Sequence, residues 1–402
     1  MLNESRPPQT RVEAFLSYGF RPFFLFSMLF AVFAMALWLG WIALHWMDGE
    51  LDFTTIDLPM FLWHAHEMVF GYTLAVIAGF FLTAVPGWTS TKPVSGKLLA
   101  ALVMVWLGGR AVNFVSAVIP LWLTAGIDLA FTPFLLLLVM KALRQTPSKR
   151  NAIFPPILAL LFVANGLTYL GRAGILDGGM KAGLTLGVNT ILLLITLIGG
   201  RVVPAFTGNY LRNKGAGALP DSRLPIEMAT VFFMALLIGF DLWQPGSLWT
   251  GAIAIIAALL HGLRLLGWRG WETLENPIVW ILHLSYLWLI AGLALKGIAV
   301  LTGVLNEVTA LHALTTGAIG SMTVAVMTRA GLGHSGREIR ASTAMVAAYL
   351  MISAGALIRV AGPVFLASYY NPVMIVSGAL WAGAFLILAV VFWPILTRPR
   401  KR

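Results

Sequence analysis

The 402-residue chain has no cysteine, so neither a disulfide framework nor a thiolate-ligated metal can form. A haem attached through Cys-x-x-Cys-His is excluded on the same ground. Charge is scarce as well: 11% of residues are Asp, Glu, Lys or Arg, where soluble domains carry about a quarter. What fills the space is apolar, with 59% hydrophobic residues and a mean hydropathy of +0.86. These figures belong to a polytopic membrane protein. The net charge of +11 is spread over short loops, which points to orientation in a membrane and away from nucleic acid. Residues 1–21 are polar, contain Pro7-Pro8, and lack a short apolar core followed by a small-residue cleavage site. They read as a cytoplasmic tail and not as a signal peptide.

Apolar runs of about 20 residues can each cross a bilayer. Twelve are expected, over 22–46, 59–85, 97–118, 121–143, 153–172, 182–203, 224–242, 247–266, 277–301, 307–328, 341–362 and 372–397. Pro59, Pro86-Gly87, Pro120, Pro155-Pro156, Pro245-Gly246, Pro277 and Pro372 mark several of the breaks. The fold class is therefore all-α: one twelve-helix domain over 22–397, a basic tail over 398–402, and both termini cytoplasmic. With that count, every one of the 27 basic residues falls on the cytoplasmic side except Arg110, Arg172, Lys181, Lys296 and Arg359. The first outer loop has Asp48, Glu50, Asp52 and Asp57 with no Lys or Arg. A wrong helix count would scramble this bias.

Ionisable groups inside a span are costly and are read as functional by default. Trp63-His64-Ala65-His66-Glu67-Met68 lies near the outer end of helix 2, with both imidazoles about 7–10 Å in at 1.5 Å per residue. His312 lies at similar depth in helix 10. A haem could bridge the two helices with one axial imidazole from each. His64 and His66 point about 200° apart on a helix, so only one of them serves one iron. Glu67, three residues after His64, is placed to accept that imidazole's other N–H. Gly71 and Gly317, each five residues after a histidine, would let a flat macrocycle approach the backbone. The helix following each ends in an arginine, Arg110 or Arg359, a faint repetition that is either a duplicated hairpin or chance.

His261, His283 and His334 fall toward the cytoplasmic side and read as a second metal cluster. Arg21, Arg201 and Arg329 ring the same face and suit haem propionates. His45, beside Trp46 at a helix end, reads as interfacial. The plainer reading of every intramembrane histidine is a buried ring bonded to a neighbouring helix. Asp128, Asn165, Asn189 and Lys296 are intramembrane polar groups too, and Asp128 serves either a proton path or a structural pair.

These residues resemble a known family. They are Gly19-Phe20-Arg21-Pro22-Phe23-Phe24, Trp63 to Met68 with Gly71, and Gly79-Phe80-Phe81-Leu82-Thr83-Ala84-Val85-Pro86. Further along come Gly200-Arg201 with Pro204 to Thr207, Leu282-His283-Leu284-Ser285-Tyr286, His312 to Gly317, and Arg329 with Gly333 to Arg337. Together, over nearly the whole chain, they look like the NnrS family of bacterial inner-membrane proteins. The resemblance implies haem and copper, with a role in nitric oxide metabolism and relief of nitrosative stress. A more distant likeness is to the core subunit of haem–copper oxidases and nitric oxide reductases, where histidines of helices 2 and 10 hold haem. By that analogy His64 or His66 would pair with His312 around haem b. The departure is that no histidine lies between His66 and His261, so helices 6 and 7 cannot supply a standard copper site.

The leading function is thus a haem b and copper protein of the inner membrane that handles nitric oxide, as a ligand or as the substrate of an oxidoreductase fed by a quinol or small redox protein. The alternatives are a secondary transporter with structural histidines and a haem-free copper protein. A transporter would show broken helices and a midplane site. Besides nitric oxide, the expected partner is membrane lipid.

Overall fold

The computed structural model describes residues 10–47, 49 and 55–401. Arg6, Pro7-Pro8, Asp48, Glu50, Asp52 and Arg402 lie outside them. Every regular element among the described residues is helical. Twelve are long and apolar enough to cross a membrane: helix 1 Phe20–Trp46, helix 2 Met60–Thr89, helix 3 Gly96–Phe114, helix 4 Leu121–Gln145, helix 5 Phe154–Arg172 and helix 6 Gly179–Lys214, then helix 7 Leu224–Trp243, helix 8 Leu248–Gly267, helix 9 Pro277–Thr302, helix 10 Glu307–His334, helix 11 Thr343–Phe365 and helix 12 Ala367–Thr397. All twelve expected spans are found. Helix 6 runs eleven residues beyond its expected end, through Pro204 to Lys214. Its last turns carry Arg212 and Lys214, so hydropathy fades there while backbone hydrogen bonding continues.

Helices 2, 6 and 10 form the interior. Their most apolar stretches are 83%, 78% and 72% buried, against at most 56% for any other span. They recur every fourth helix, and the remaining nine surround them. A helix apolar all round belongs inside such a bundle. There, close packing and interhelical hydrogen bonds hold it, because lipid tails are as apolar as its own side chains. The chain ends meet on one face: Arg21 Nη1 donates to the carbonyls of Leu396 and Arg398, and Lys401 N–H donates to Ser335 O. The opposite face is called distal below. Helices 2, 6 and 10 all begin there.

Two inner helices share a local irregularity. Helix 2 widens into a π segment over Glu67–Thr73, directly after His66. Helix 10 does the same over Ala313–Ile319, directly after His312. π segments are rare and recur at functional sites. Each inserts an extra residue per turn, which changes the faces presented by the side chains that follow.

Candidate haem cavity and buried polar network

A cavity of about 1220 Å³ opens in the distal half, walled by helices 1, 2, 6, 7, 9, 10, 11 and 12. Pockets for drug-sized ligands run to about 300–1,000 Å³, so a large planar group has room. Its walls include Trp38, Trp41, Met68, Tyr72 and Trp381. His64 and His312 both face it. The His64 ring stacks on Trp38, with centroids 4.9 Å apart and planes 16° from parallel. Its Nδ1 is buried with no hydrogen-bond partner, where buried polar atoms are nearly always paired. His312 Nδ1–H donates to Val308 O at 2.7 Å, which leaves Nε2 as the acceptor. Arg359 Nη2 sits 3.3 Å from that Nε2 and is the only polar group it meets among the described residues. Lys181 lines the same cavity. On another wall, Lys296 pairs with Asp241 at 2.9 Å, and Asn189 donates to the same carboxylate at 2.7 Å.

His66 belongs to a different environment. Its Nδ1 lies 2.9 Å from Glu67 Oε1 and its Nε2 2.9 Å from Asn165 Oδ1. Asn165 turns its amide nitrogen to Asp128 Oδ2 at 2.9 Å, so its oxygen must accept from the imidazole. Both ring nitrogens of His66 are therefore engaged by side chains, and neither is free for a metal. Arg110 bridges Glu67 and Asp128 as a buried double ion pair. The network continues outward from Asp128 through Tyr169 at 3.0 Å and Asn113 at 3.1 Å. Arg172 then links Asn113, at 3.1 Å, to Asp57, at 2.6 Å. Asp57 lies on the distal loop before helix 2. Burial raises its pKa, and hydrogen bonds from Arg172 and Ser116 more than offset this, so its carboxyl stays below the ordinary range.

Several expectations need correcting. Glu67 serves His66 and Arg110, not His64, because His66 Nδ1 and Arg110 Nη1 take its two carboxylate oxygens. The space over Gly71 is closed to a macrocycle: a Cβ there would meet Arg110 Nη1 and Phe30 at 2.7 Å. The space over Gly317 holds the Trp288 indole, 2.7 Å from a Cβ. Asp128 is a member of the Arg110 ion pair.

His261, His283 and His334 do not converge. His261 Nδ1 bonds the Tyr286 hydroxyl at 2.5 Å, His283 Nε2 meets the Thr207 hydroxyl at 2.8 Å, and His334 packs against the rings of Tyr18 and Phe20. No three His, Cys, Asp or Glu side chains among the described residues are arranged to hold a metal ion. The three arginines lie across the bundle from the cavity. Arg21 is bonded to the chain end, Arg201 to Arg150 O, and Arg329 stacks on Phe206 at 3.6 Å.

Arg359, Lys181 and Trp38 also line the cavity, and the sequence reading singles out none of them as a cofactor contact. A signal for the two cations was present. All five exceptions to the charge bias lie in the distal half, where Arg110, Arg172 and Lys296 pair with carboxylates, Arg359 caps His312, and Lys181 faces the cavity.

No curated protein matches the chain. The family model described as NnrS protein matches residues 14–400 of the 402. The chain is therefore a multi-pass membrane protein belonging to the NnrS family, a membership that suggests a place in the nitric oxide response.

Proposed function

We propose that this protein binds haem b in the distal cavity, between helices 2 and 10, and handles nitric oxide in the bacterial inner membrane with that cavity facing outward. The observation that carries the reading is that His64 and His312 face one cavity of about 1220 Å³ while a buried ring nitrogen of His64 goes unpaired. His312 also has the usual support of a metal-ligating histidine, a second ring nitrogen donating to a backbone carbonyl. His66 has no free nitrogen to offer. Arg359 and Lys181 are the cations at hand for the carboxylates of a porphyrin, in place of Arg21, Arg201 and Arg329. A bound haem supplies an iron that captures nitric oxide when five-coordinate and passes electrons when held by two imidazoles. The chain's own residues supply the slot, the aromatic walls and the two ring nitrogens. The donor set does not fit a three-ligand copper centre, and copper is given no role here.

Orientation follows from the charge bias, which puts both chain ends in the cytoplasm. The test is the visible spectrum of purified protein, oxidised and reduced, with and without nitric oxide. A Soret band that shifts with nitric oxide is expected, and it should be lost in His312→Ala and weakened or shifted in His64→Ala. Colourless, metal-free protein that moves a solute into liposomes would replace this reading with the transporter one.

A further inference from the structure

A second, smaller void lies where helices 2, 6 and 10 converge. Its volume is about 70 Å³, and its lining side chains are apolar apart from the hydroxyls of Thr73 and Thr323. Neither hydroxyl proton is free to serve a guest. Thr73 donates to Met68 O at 2.8 Å, and Thr323 donates to Ile319 O and Gly320 O at 2.8 Å. The remaining acceptor capacity of Thr323 is taken by the Tyr72 hydroxyl at 2.5 Å. A buried water needs two to four polar partners, and the two hydroxyl oxygens present almost no surface to this void. One water needs roughly 10–15 Å³ of such space, and dry apolar cavities of about 150 Å³ take up benzene or xenon. About 70 Å³ therefore suits an uncharged diatomic molecule and is far too small for a porphyrin.

Its position gives the void a role. Thr73 lies on its wall and on that of the large cavity, and the Tyr72–Thr323 hydrogen bond spans the partition between them. At the other end Phe80, Val202 and Val326, one from each inner helix, are only half-buried. The void runs from Thr73 to Phe80, roughly 10 Å along helix 2 at 1.5 Å per residue. It thus forms an apolar path up the bundle axis to the cavity floor.

We infer that this void is a holding site for an uncharged diatomic gas, delivering it from the membrane interior to the large cavity across the Tyr72–Thr323 pair. The choice of nitric oxide among such gases rests on the function proposed above. Nitric oxide is paramagnetic, so its occupancy is readable without haem. Methionine-methyl-labelled protein in micelles would be compared under argon and under nitric oxide. Met322, on the void wall, should relax several-fold more under nitric oxide than buried Met234 on helix 7, and at least as much as exposed Met104 on helix 3. Ile195→Phe, which fills the void, should abolish that excess, with Val76→Leu as a milder filler should the first fail to fold. Xenon should perturb the same methyl and lose that effect in the same variant. Relaxation of Met322 no greater than that of Met234, or an excess that survives filling, would overturn the inference. A missing Soret band would instead sink the haem reading and leave this result standing.

Discussion

Helices 2 and 10 carry the same device in two surroundings. In each, an imidazole precedes a π segment, and an arginine from the next helix comes to meet it or its neighbour. Around His66 that device is packed solid. Glu67 and Asn165 take its two ring nitrogens, within a network that also holds Asp128, Arg110, Arg172, Asn113 and Tyr169. Around His312 the same elements face a cavity, and no carboxylate among the described residues pairs with the arginine. The backbone motif therefore does not decide between structure and ligand binding. The neighbours do, because helices 4 and 5 bring Asp128, Asn165 and Tyr169 to His66, while no described carboxylate pairs with Arg359. Helix 6, the third inner helix, carries neither a histidine nor a π segment, and there Asn189 bonds Asp241 of helix 7.

The sharpest way to break this comparison is to remove each arginine. Arg110→Leu would strand Glu67 and Asp128 as buried charges, and losing one partner of a buried pair costs about 3–5 kcal/mol. Arg359→Leu strands no carboxylate among the described residues, and interhelical polar contacts in membranes are often worth under about 1 kcal/mol. Thermal unfolding in detergent should show a large drop in midpoint for Arg110→Leu and little change for Arg359→Leu. Equal drops would mean the two sites are the same kind of structure after all.

The histidines of helix 2 sharpen it further. His66→Ala leaves Glu67 Oε1 and Asn165 Oδ1 without their donor, and an unsatisfied buried group costs about 1–3 kcal/mol. His64→Ala removes a ring with no hydrogen-bond partner on its buried nitrogen and should barely affect the unfolding midpoint. The spectrum should respond the other way round, with His64→Ala changing the Soret band and His66→Ala preserving it in the protein that remains folded. A band that depends on His66 and ignores His64 would reverse the assignment of the two.

How much of this could be read in the chain itself depends on the range of the interaction. The twelve spans follow from hydropathy and charge, which are local and summed over many residues, so all were legible with ends displaced by a few residues or, in helix 6, by three turns. The depth of His64 and His312 followed from counting along each span. The π segments leave no trace in hydropathy, because inserting one residue per turn alters facing and not composition. Glu67 turns to His66 and to Arg110 of helix 3, and a partner on another helix is not visible in the spacing of one. The cytoplasmic cluster failed for another reason: His261, His283 and His334 share a depth, yet sit on different faces with Tyr286, Thr207 and Phe20 as neighbours. Depth is readable from one helix, whereas facing needs the packing of several.

The outer end of the His66 network offers the smallest effect and the cleanest sign. Asp57 is the one carboxylate of that network on the distal loop, with a side chain about a third exposed and Arg172 at 2.6 Å. Its pKa in the folded protein lies below the ordinary value of 3.8, since the Arg172 and Ser116 hydrogen bonds outweigh burial. A depressed carboxyl contributes stability that is complete above its unfolded pKa and disappears as pH falls through the folded value. Partial exposure keeps the contribution near that of a surface pair, about 0–1 kcal/mol. Wild type and Asp57→Asn should therefore differ slightly in unfolding midpoint at neutral pH and converge below about pH 4. A gap between the two proteins that widens in acid would show that Asp57 is held by something other than its arginine, and that the network does not reach the surface through it.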